Sequence, residues 1–275
     1  MKAARFEYAR PLSCAEAVGL LQQNAGRAKV VSGGQSLGAM MNLRLAQPEL
    51  LVDIRAIDVL RGCEVAAEMV TLGATTTHAT IEDGRVSDPT RGLMRQVAGG
   101  IAYRAVRNRG TFGGSLAHAD PAADWVNLMA LLDAQYVLQG PSGVRTVATP
   151  DWMTGAFTTA LREDEILTAV RIPRLSVSAR WSYYKVNRKA GEFAQALAGI
   201  VDDPARARRR ALIGAIDGAP YVFDAGPLID LWSDAAADVE LHRAGLKAGT
   251  YEYQIHLTAL ARAIADSRAM GRAAA

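Results

Sequence analysis

Two glycine-rich loops carry the residue types in this sequence best suited to chemistry. The first, Ser32-Gly33-Gly34-Gln35-Ser36, follows a short run, residues 28–31, that reads as a strand. Paired glycines tolerate positive φ and let the backbone approach a ligand closely. Successive amides in such a turn converge into an anion-binding nest, and Ser36 adds a hydroxyl donor. A phosphate or diphosphate suits that chemistry, and a tight turn with no ligand is the other reading open to a single loop. The second loop, Thr111-Phe112-Gly113-Gly114-Ser115, sets another glycine pair between two hydroxyl side chains. Two such nests could clasp the two phosphates of one dinucleotide from opposite sides.

Other chemistries find little support. A Walker A loop needs Lys followed by Ser or Thr after its last glycine, and here Gly38 is followed by Ala39-Met40. The G-x-G-x-x-G fingerprint of a conventional dinucleotide fold is not matched either. There is no G-x-S-x-G, and Ser36 has no His or acid at a motif-like spacing, so a hydrolase reading rests on nothing. His78, His242 and His256 show no metal-ligand spacing. The two cysteines, Cys14 and Cys63, form neither a CxxC pair nor the four-ligand set of an iron–sulfur cluster. Any redox cofactor must therefore be organic or sit in a partner.

The elements that must position these loops can be read from pattern. Ser13 and Glu16 form a capping box that opens an amphipathic helix over residues 12–23, which Gly26 closes. Residues 37–43 read as a helix or turn after the first loop, and 50–54 and 69–76 as strands. Residues 93–98 and 121–132 are helical in period. Strands at 136–138 and 144–147 flank Gly140-Pro141-Ser142-Gly143, a hairpin signal. After Ile172-Pro173 the pattern changes to three strands, 182–186, 194–201 and 211–218, and then to alanine-rich helices at 235–246 and 253–270. A domain boundary is expected near 173–178.

Composition sets the outer limits. The 275 residues are 50% hydrophobic, 6% aromatic and 21% charged, which describes an ordinary globular chain rather than a disordered one. The 31 basic residues nearly balance 28 acidic ones, so the net charge of +3 gives no reason to expect nucleic acid. Arg206, Arg208, Arg209 and Arg210 are a local exception. A solvated turn with counter-charges nearby accounts for them, and a partner-docking patch is the alternative. No apolar run is long enough to span a bilayer, and residues 1–10 lack the apolar stretch of a secretory signal, so a cytoplasmic protein with no transmembrane segment is expected.

At this point the letters resemble a family. Lys29-Val30-Val31-Ser32-Gly33-Gly34-Gln35-Ser36-Leu37, followed by Met41-Asn42-Leu43-Arg44-Leu45, resembles the first FAD loop of the medium subunits of carbon monoxide dehydrogenase-type molybdenum hydroxylases, the wider carbon monoxide dehydrogenase/xanthine dehydrogenase family. Arg107-Asn108-Arg109-Gly110-Thr111-Phe112-Gly113-Gly114-Ser115-Leu116-Ala117-His118-Ala119-Asp120-Pro121-Ala122-Ala123-Asp124 is similar to the second. Asp164-Glu165-Ile166-Leu167, Ile172-Pro173 and Tyr184-Lys185 through Glu192-Phe193-Ala194 continue the likeness in order. Gln35 stands where some relatives carry His, and Ser115 where many carry Asn. Both residues still offer hydrogen bonds to a phosphate or ribose.

The resemblance implies an α+β chain. A two-subdomain PCMH-type FAD-binding domain is expected over 1–175, divided near 56, followed over 176–275 by a C-terminal three-stranded antiparallel sheet with a helical bundle. It implies an FAD-binding electron-transfer subunit. A large partner would hold the molybdopterin cofactor and a small partner two [2Fe–2S] clusters, the whole assembling as a dimer of heterotrimers. The cofactor-binding residues it implies are Lys29, Val31, Ser32, Gly33, Gly34, Gln35, Ser36 and Leu37 at the first loop and Thr111, Gly113, Gly114, Ser115, Ala117, His118 and Asp120 at the second, with no catalytic residue in this chain. Asp124 would accept from ribose or merely stabilise a helix start. Ile101, with Ala102 beside it, and Ile166 would touch a ring or pack the core, Lys185 would lie near the pyrimidine end of the flavin or face solvent, and His118 would face the ring edge. A stand-alone flavin-dependent oxidoreductase of the same superfamily, and a flavin-free assembly protein, are the alternatives.

Overall fold

The structure is a computed structural model that describes residues 2–273. The chain opens with β1 (Glu7–Ala9), α1 (Cys14–Gln23), β2 (Ala28–Val31), α2 (Leu37–Asn42) and β3 (Leu50–Asp53). The three strands form a parallel sheet in the order β1-β3-β2, and α1 and α2 supply the crossovers that parallel strands require. Helix α1 begins at the expected cap, with the Glu16 carboxylate reaching one residue beyond the N-cap amide of an ideal capping box. Ser13 Oγ accepts the Glu16 amide at 3.1 Å, and the Glu16 carboxylate accepts the Leu12 amide at 2.9 Å. The helix ends on Asn24, and Gly26, at φ +72°, bends the chain just beyond it. Cys14, Ala17, Val18 and Leu21 pack against Leu50 and Val52 of β3. Strand β1 escapes a periodicity reading because it is three residues long and mostly exposed.

The middle of the chain runs β4 (Cys63–Val65), β5 (Met69–Gly73), α3 (His78–Glu82), α4 (Leu93–Gly99), α5 (Arg104–Arg107), α6 (Phe112–His118), α7 (Asp124–Leu132), β6 (Gln135–Gly140), β7 (Gly143–Ala148), α8 (Thr149–Trp152), β8 (Met153–Gly155), β9 (Thr158–Thr159) and β10 (Ile166–Pro173). Five of these strands form an antiparallel sheet in the order β4-β5-β10-β6-β7. The expected hairpin closes at Gly140 and Gly143, and Gly143 takes φ +107°. Every residue of α7 is buried, Asp124 and Asn127 included. A helix apolar on all sides must be walled on all sides, and the next part of the chain supplies the second wall.

That part comprises β11 (Arg180–Val186), β12 (Ala196–Asp203), β13 (Arg208–Gly214), β14 (Tyr221–Asp224), α9 (Gly226–Asp230), α10 (Asp234–Arg243) and α11 (Tyr251–Ala273). Its antiparallel sheet has four strands in sequence order, so the expectation of three is corrected. The missed strand, β14, is four residues long and follows Gly218-Ala219-Pro220. That is too short for a period-2 pattern to stand out from the turn before it. Leu197, Val201 and Leu212 on one face join the core around Trp125, Leu128 and Leu131. Ala198, Ile200, Ala211 and Ile213 on the other face lie under Leu260, Ala263 and Ile264 of α11.

Candidate dinucleotide site

Strand β2 delivers the chain into the first loop, and α2 carries it away. Among the described residues, none of the backbone amides from 33 to 37 donates to an acceptor within the chain. Gly34 sits at φ +70°, where a side chain would be strained. Gly33 is needed for a different reason. A Cβ there would come within 2.7 Å of Gly110 Cα and closer still to the Arg109 carbonyl oxygen, so the two loops meet backbone to backbone. Gln35 folds its amide back onto the Gly33 carbonyl at 3.1 Å, and the Ser36 hydroxyl caps nothing. Lys29 is exposed on β2, while Val31 and Leu37 flank the loop half-buried. Five successive amides without acceptors fit a diphosphate, because backbone donors seek a partner and anions match them.

The second loop differs from the sequence expectation of a second amide nest. Phe112 donates to Thr76 O at 2.8 Å, Gly113 to Ala74 O at 2.8 Å, Gly114 to Thr111 Oγ1 at 3.2 Å and Ser115 to Thr111 O at 3.0 Å. The first two hold the loop on residues 74–76, and the other two are spent on Thr111 within it. Gly113 is required by that contact, since a Cβ would lie 2.5 Å from the Ala74 Cβ. What the loop offers a ligand is hydroxyls. Thr111 Oγ1 donates to Ser32 Oγ at 3.1 Å and ties the loops together, and Ser115 is half-buried beside them.

Several other expected residues make defined contacts within the chain. Asp124 starts α7, buried, and its carboxylate takes a 2.8 Å ion pair from Lys185 and a 3.1 Å hydrogen bond from the Tyr183 hydroxyl. The two residues expected near a cofactor face each other in the structure. Lys185 does not face solvent, its side chain being only 13% exposed. Burial pushes the Asp124 carboxyl upward, and Lys185 opposes that shift. The Tyr183 hydroxyl is held well above its usual range by burial and by the carboxylate it serves. Ile166 is packed in the core with Val18, Leu21 and Ile54, so of its two readings core packing is the one observed. Ala117 and His118 are half-buried at the end of α6, the His118 ring 5.3 Å from that of Phe157. Asp120 accepts the Ala122 amide at 2.9 Å, a local turn that leads into α7.

Ile101 and Ala102 form a separate station. Ala102 has φ +46° and donates its amide to the Gly191 carbonyl at 2.9 Å, which pins the β11–β12 hairpin tip there. Arg107 braces the same turn from beneath. It donates to the carbonyls of Ile101 and Ala102 at 2.9 and 3.1 Å and forms a fork with Glu82.

His78, which has no metal-ligand spacing, supports the second loop. Its amide donates to the Gly110 carbonyl at 3.0 Å, and its Nδ1 accepts from Trp125 Nε1 at 3.0 Å. Burial holds its pKa down at about 4, so the ring stays neutral when folded. The unfolded chain therefore takes up a proton that the folded chain refuses. Stability is full above pH of about 6.5 and declines as the pH falls toward about 4, by up to about 3 kcal/mol. Thermal unfolding from pH 7 to 5, run beside His78→Gln, checks this. Equal losses in the two proteins would remove His78 as the cause.

The fold and this site define a flavin-type dinucleotide-binding protein. The family model described as the FAD binding domain in molybdopterin dehydrogenase matches residues 4–175. The carbon monoxide dehydrogenase medium chain of Hydrogenophaga pseudoflava is 40% identical over 197 residues, 72% of this chain and 69% of that one. The nicotine 6-hydroxylase medium subunit of Paenarthrobacter nicotinovorans is 33% identical over 93% of this chain and 91% of its own. A solved carbon monoxide dehydrogenase structure from Hydrogenophaga pseudoflava superposes with a TM-score of 0.88 and 31% identity, covering 98% of this chain and 99% of that chain. This chain belongs to the family of FAD-binding medium subunits of molybdopterin dehydrogenases, and is an oxidoreductase component.

Proposed function

We propose that this chain is the FAD-binding electron-transfer subunit of a heteromeric molybdenum hydroxylase. Electrons would arrive from two [2Fe–2S] clusters in a small partner and leave to an external acceptor, while a large partner holds the molybdopterin cofactor. Bound FAD would supply a carrier that exchanges electrons singly or in pairs. The chain's own residues bind and orient. The amides from 33 to 37 take the diphosphate, and the Ser32, Ser36, Thr111 and Ser115 hydroxyls complete its hydrogen bonds. Gly33 lets the two loops meet, Gly113 seats the second loop on Ala74, and the turn at Ile101 and Ala102, pinned by Gly191, is held ready for the ring portion. We assign the Lys185 and Asp124 pair a supporting part, fixing the start of α7 behind the second loop. The same reading divides the chain near 56 and 175, assembles it as a dimer of heterotrimers and places it in the cytoplasm. Among the described residues no helix is long and apolar enough to cross a membrane.

The observation that carries this reading is the run of acceptor-less amides beside a glycine-locked loop contact. Reconstitution with FAD tests it. The full chain should retain about one flavin per chain with an oxidised-flavin spectrum, and should retain FMN far more weakly because FMN lacks the diphosphate. A chain that holds no flavin after reconstitution would overturn the cofactor assignment. Turnover of an organic substrate by the chain alone would overturn the relay.

A further inference from the structure

The four clustered arginines of the sequence do not share one role. Arg206 pairs with Glu68, and Arg209 bonds Asp202 at 3.0 Å and Asp230 at 2.6 Å, so both have counter-charges. Strand alternation turns Arg208 and Arg210 to the opposite face of β13 from Arg209, beside Leu212. Arg210 donates to the Ala130 carbonyl at 3.1 Å and stands 3.7 Å from Asp133, and its Nε is buried without an acceptor. Among the described residues Arg208 has no ion pair and no hydrogen-bond acceptor for its side chain.

Both arginines line a cleft of about 1010 Å³ between β13–β14 and the layer formed by α7, β6 and α8. Its walls include Trp152, Met153, Val126 and Val222, and neither glycine loop lines it. One rim is β14, the outer strand of its sheet, hydrogen-bonded only to β13. Val222 and Phe223 at its centre carry no charge that would oppose further pairing. The carboxylates in the cleft have partners: Asp133 faces Arg210, and Asp224 accepts the Gly226 amide at 2.9 Å. An open strand edge, apolar walls and an arginine without an ion pair or side-chain hydrogen bond of its own therefore converge.

We propose that this cleft docks an extended, carboxylate-bearing segment of a partner chain, laid along β14 as a fifth strand with its acidic side chain on Arg208 and Arg210. The free edge recognises backbone, the apolar walls take alternate side chains, and the guanidinium forks take the carboxylate. A small anion would use the arginines and leave the edge and the walls unfilled. The assignment rests on the reading of the chain as one subunit of a complex.

Amide deuterium exchange of the full chain, alone and in the complex purified with its partners, tests it over residues 207–211 and 219–225. Assembly should slow exchange there by about ten-fold or more. Arg208→Glu should abolish that slowing and weaken partner retention by roughly ten-fold, and Arg208→Lys should keep most of both. Flavin content and the melting temperature should stay unchanged in both variants, which separates a docking defect from misfolding. A complex that assembles with these segments exchanging as in the free chain overturns the proposal. So does the same slowing produced in the free chain by inorganic phosphate alone, which would make the cleft a small-anion site. A chain that purifies without partners in every preparation overturns the multi-subunit reading and this docking site together, while its flavin spectrum reports on the cofactor separately.

Discussion

Replacing Gly33 with alanine should cost the chain its FAD. The new Cβ would enter space held by the Arg109 carbonyl and by Gly110 Cα, 2.7 Å away, and neither is a side chain that can swing aside. The two loops would have to part, which breaks the Thr111–Ser32 hydroxyl contact and displaces the free amides. Overpacking of this kind costs about 1–3 kcal/mol in stability, and affinity for a diphosphate held by that geometry should fall by at least roughly a hundred-fold. Gly38→Ala is the matched control. Its Cβ meets nothing within 4 Å and it lies inside α2, so alanine should leave flavin binding intact and add up to about 1 kcal/mol of helix stability. Fluorescence titration of the apo-proteins with FAD reads both. Equal flavin affinity in Gly33→Ala and the parent would mean that the loop contact does not shape the site.

Asp124→Ala should be the most destabilising single change outside the glycines. It leaves the Lys185 ammonium, 13% exposed, without its partner and deprives the Tyr183 hydroxyl of its acceptor. Removing one member of a buried pair typically costs about 3–5 kcal/mol, because the remaining charge keeps its desolvation penalty and loses its compensation. For a chain of this size that corresponds to a drop in melting temperature on the order of 10 °C. The double change Asp124→Leu with Lys185→Met should recover a large part of the loss, since no charge is then stranded. Thermal and urea unfolding of the parent, Asp124→Leu, Lys185→Met and the double variant measure the coupling. A double variant as unstable as the sum of its parts would show that the pair is two separate contacts.

How far the letters reached depended on whether a signal was local. The cap at Ser13 and Glu16, the Gly140 to Gly143 hairpin and the two glycine loops each have their cause within a few residues, and each stands where the sequence puts it. The strands β1, β4 and β14 are three or four residues long and gave no period to read. Contacts between distant residues were out of reach. Nothing local says that Lys185 meets Asp124, that Gly191 pins Ala102, or that the backbone of residues 109–110 packs against Gly33. The second loop was overread for the same reason. Its glycines look like those of the first, but Ala74 and Thr76 had already claimed its amides.

Helix α7 bears on how such a protein can be inherited. With no residue left for water, it is roofed on one side by β10 and on the other by β12 and β13, and Arg210 reaches across to its Ala130 carbonyl. A recombination breakpoint near residue 175 would spare every letter of both glycine loops and still strip away the wall that keeps α7 dry. The stretch from 4 to 175 is thus recognisable without being portable. A lineage that exchanges one half must carry a matching apolar face in the other.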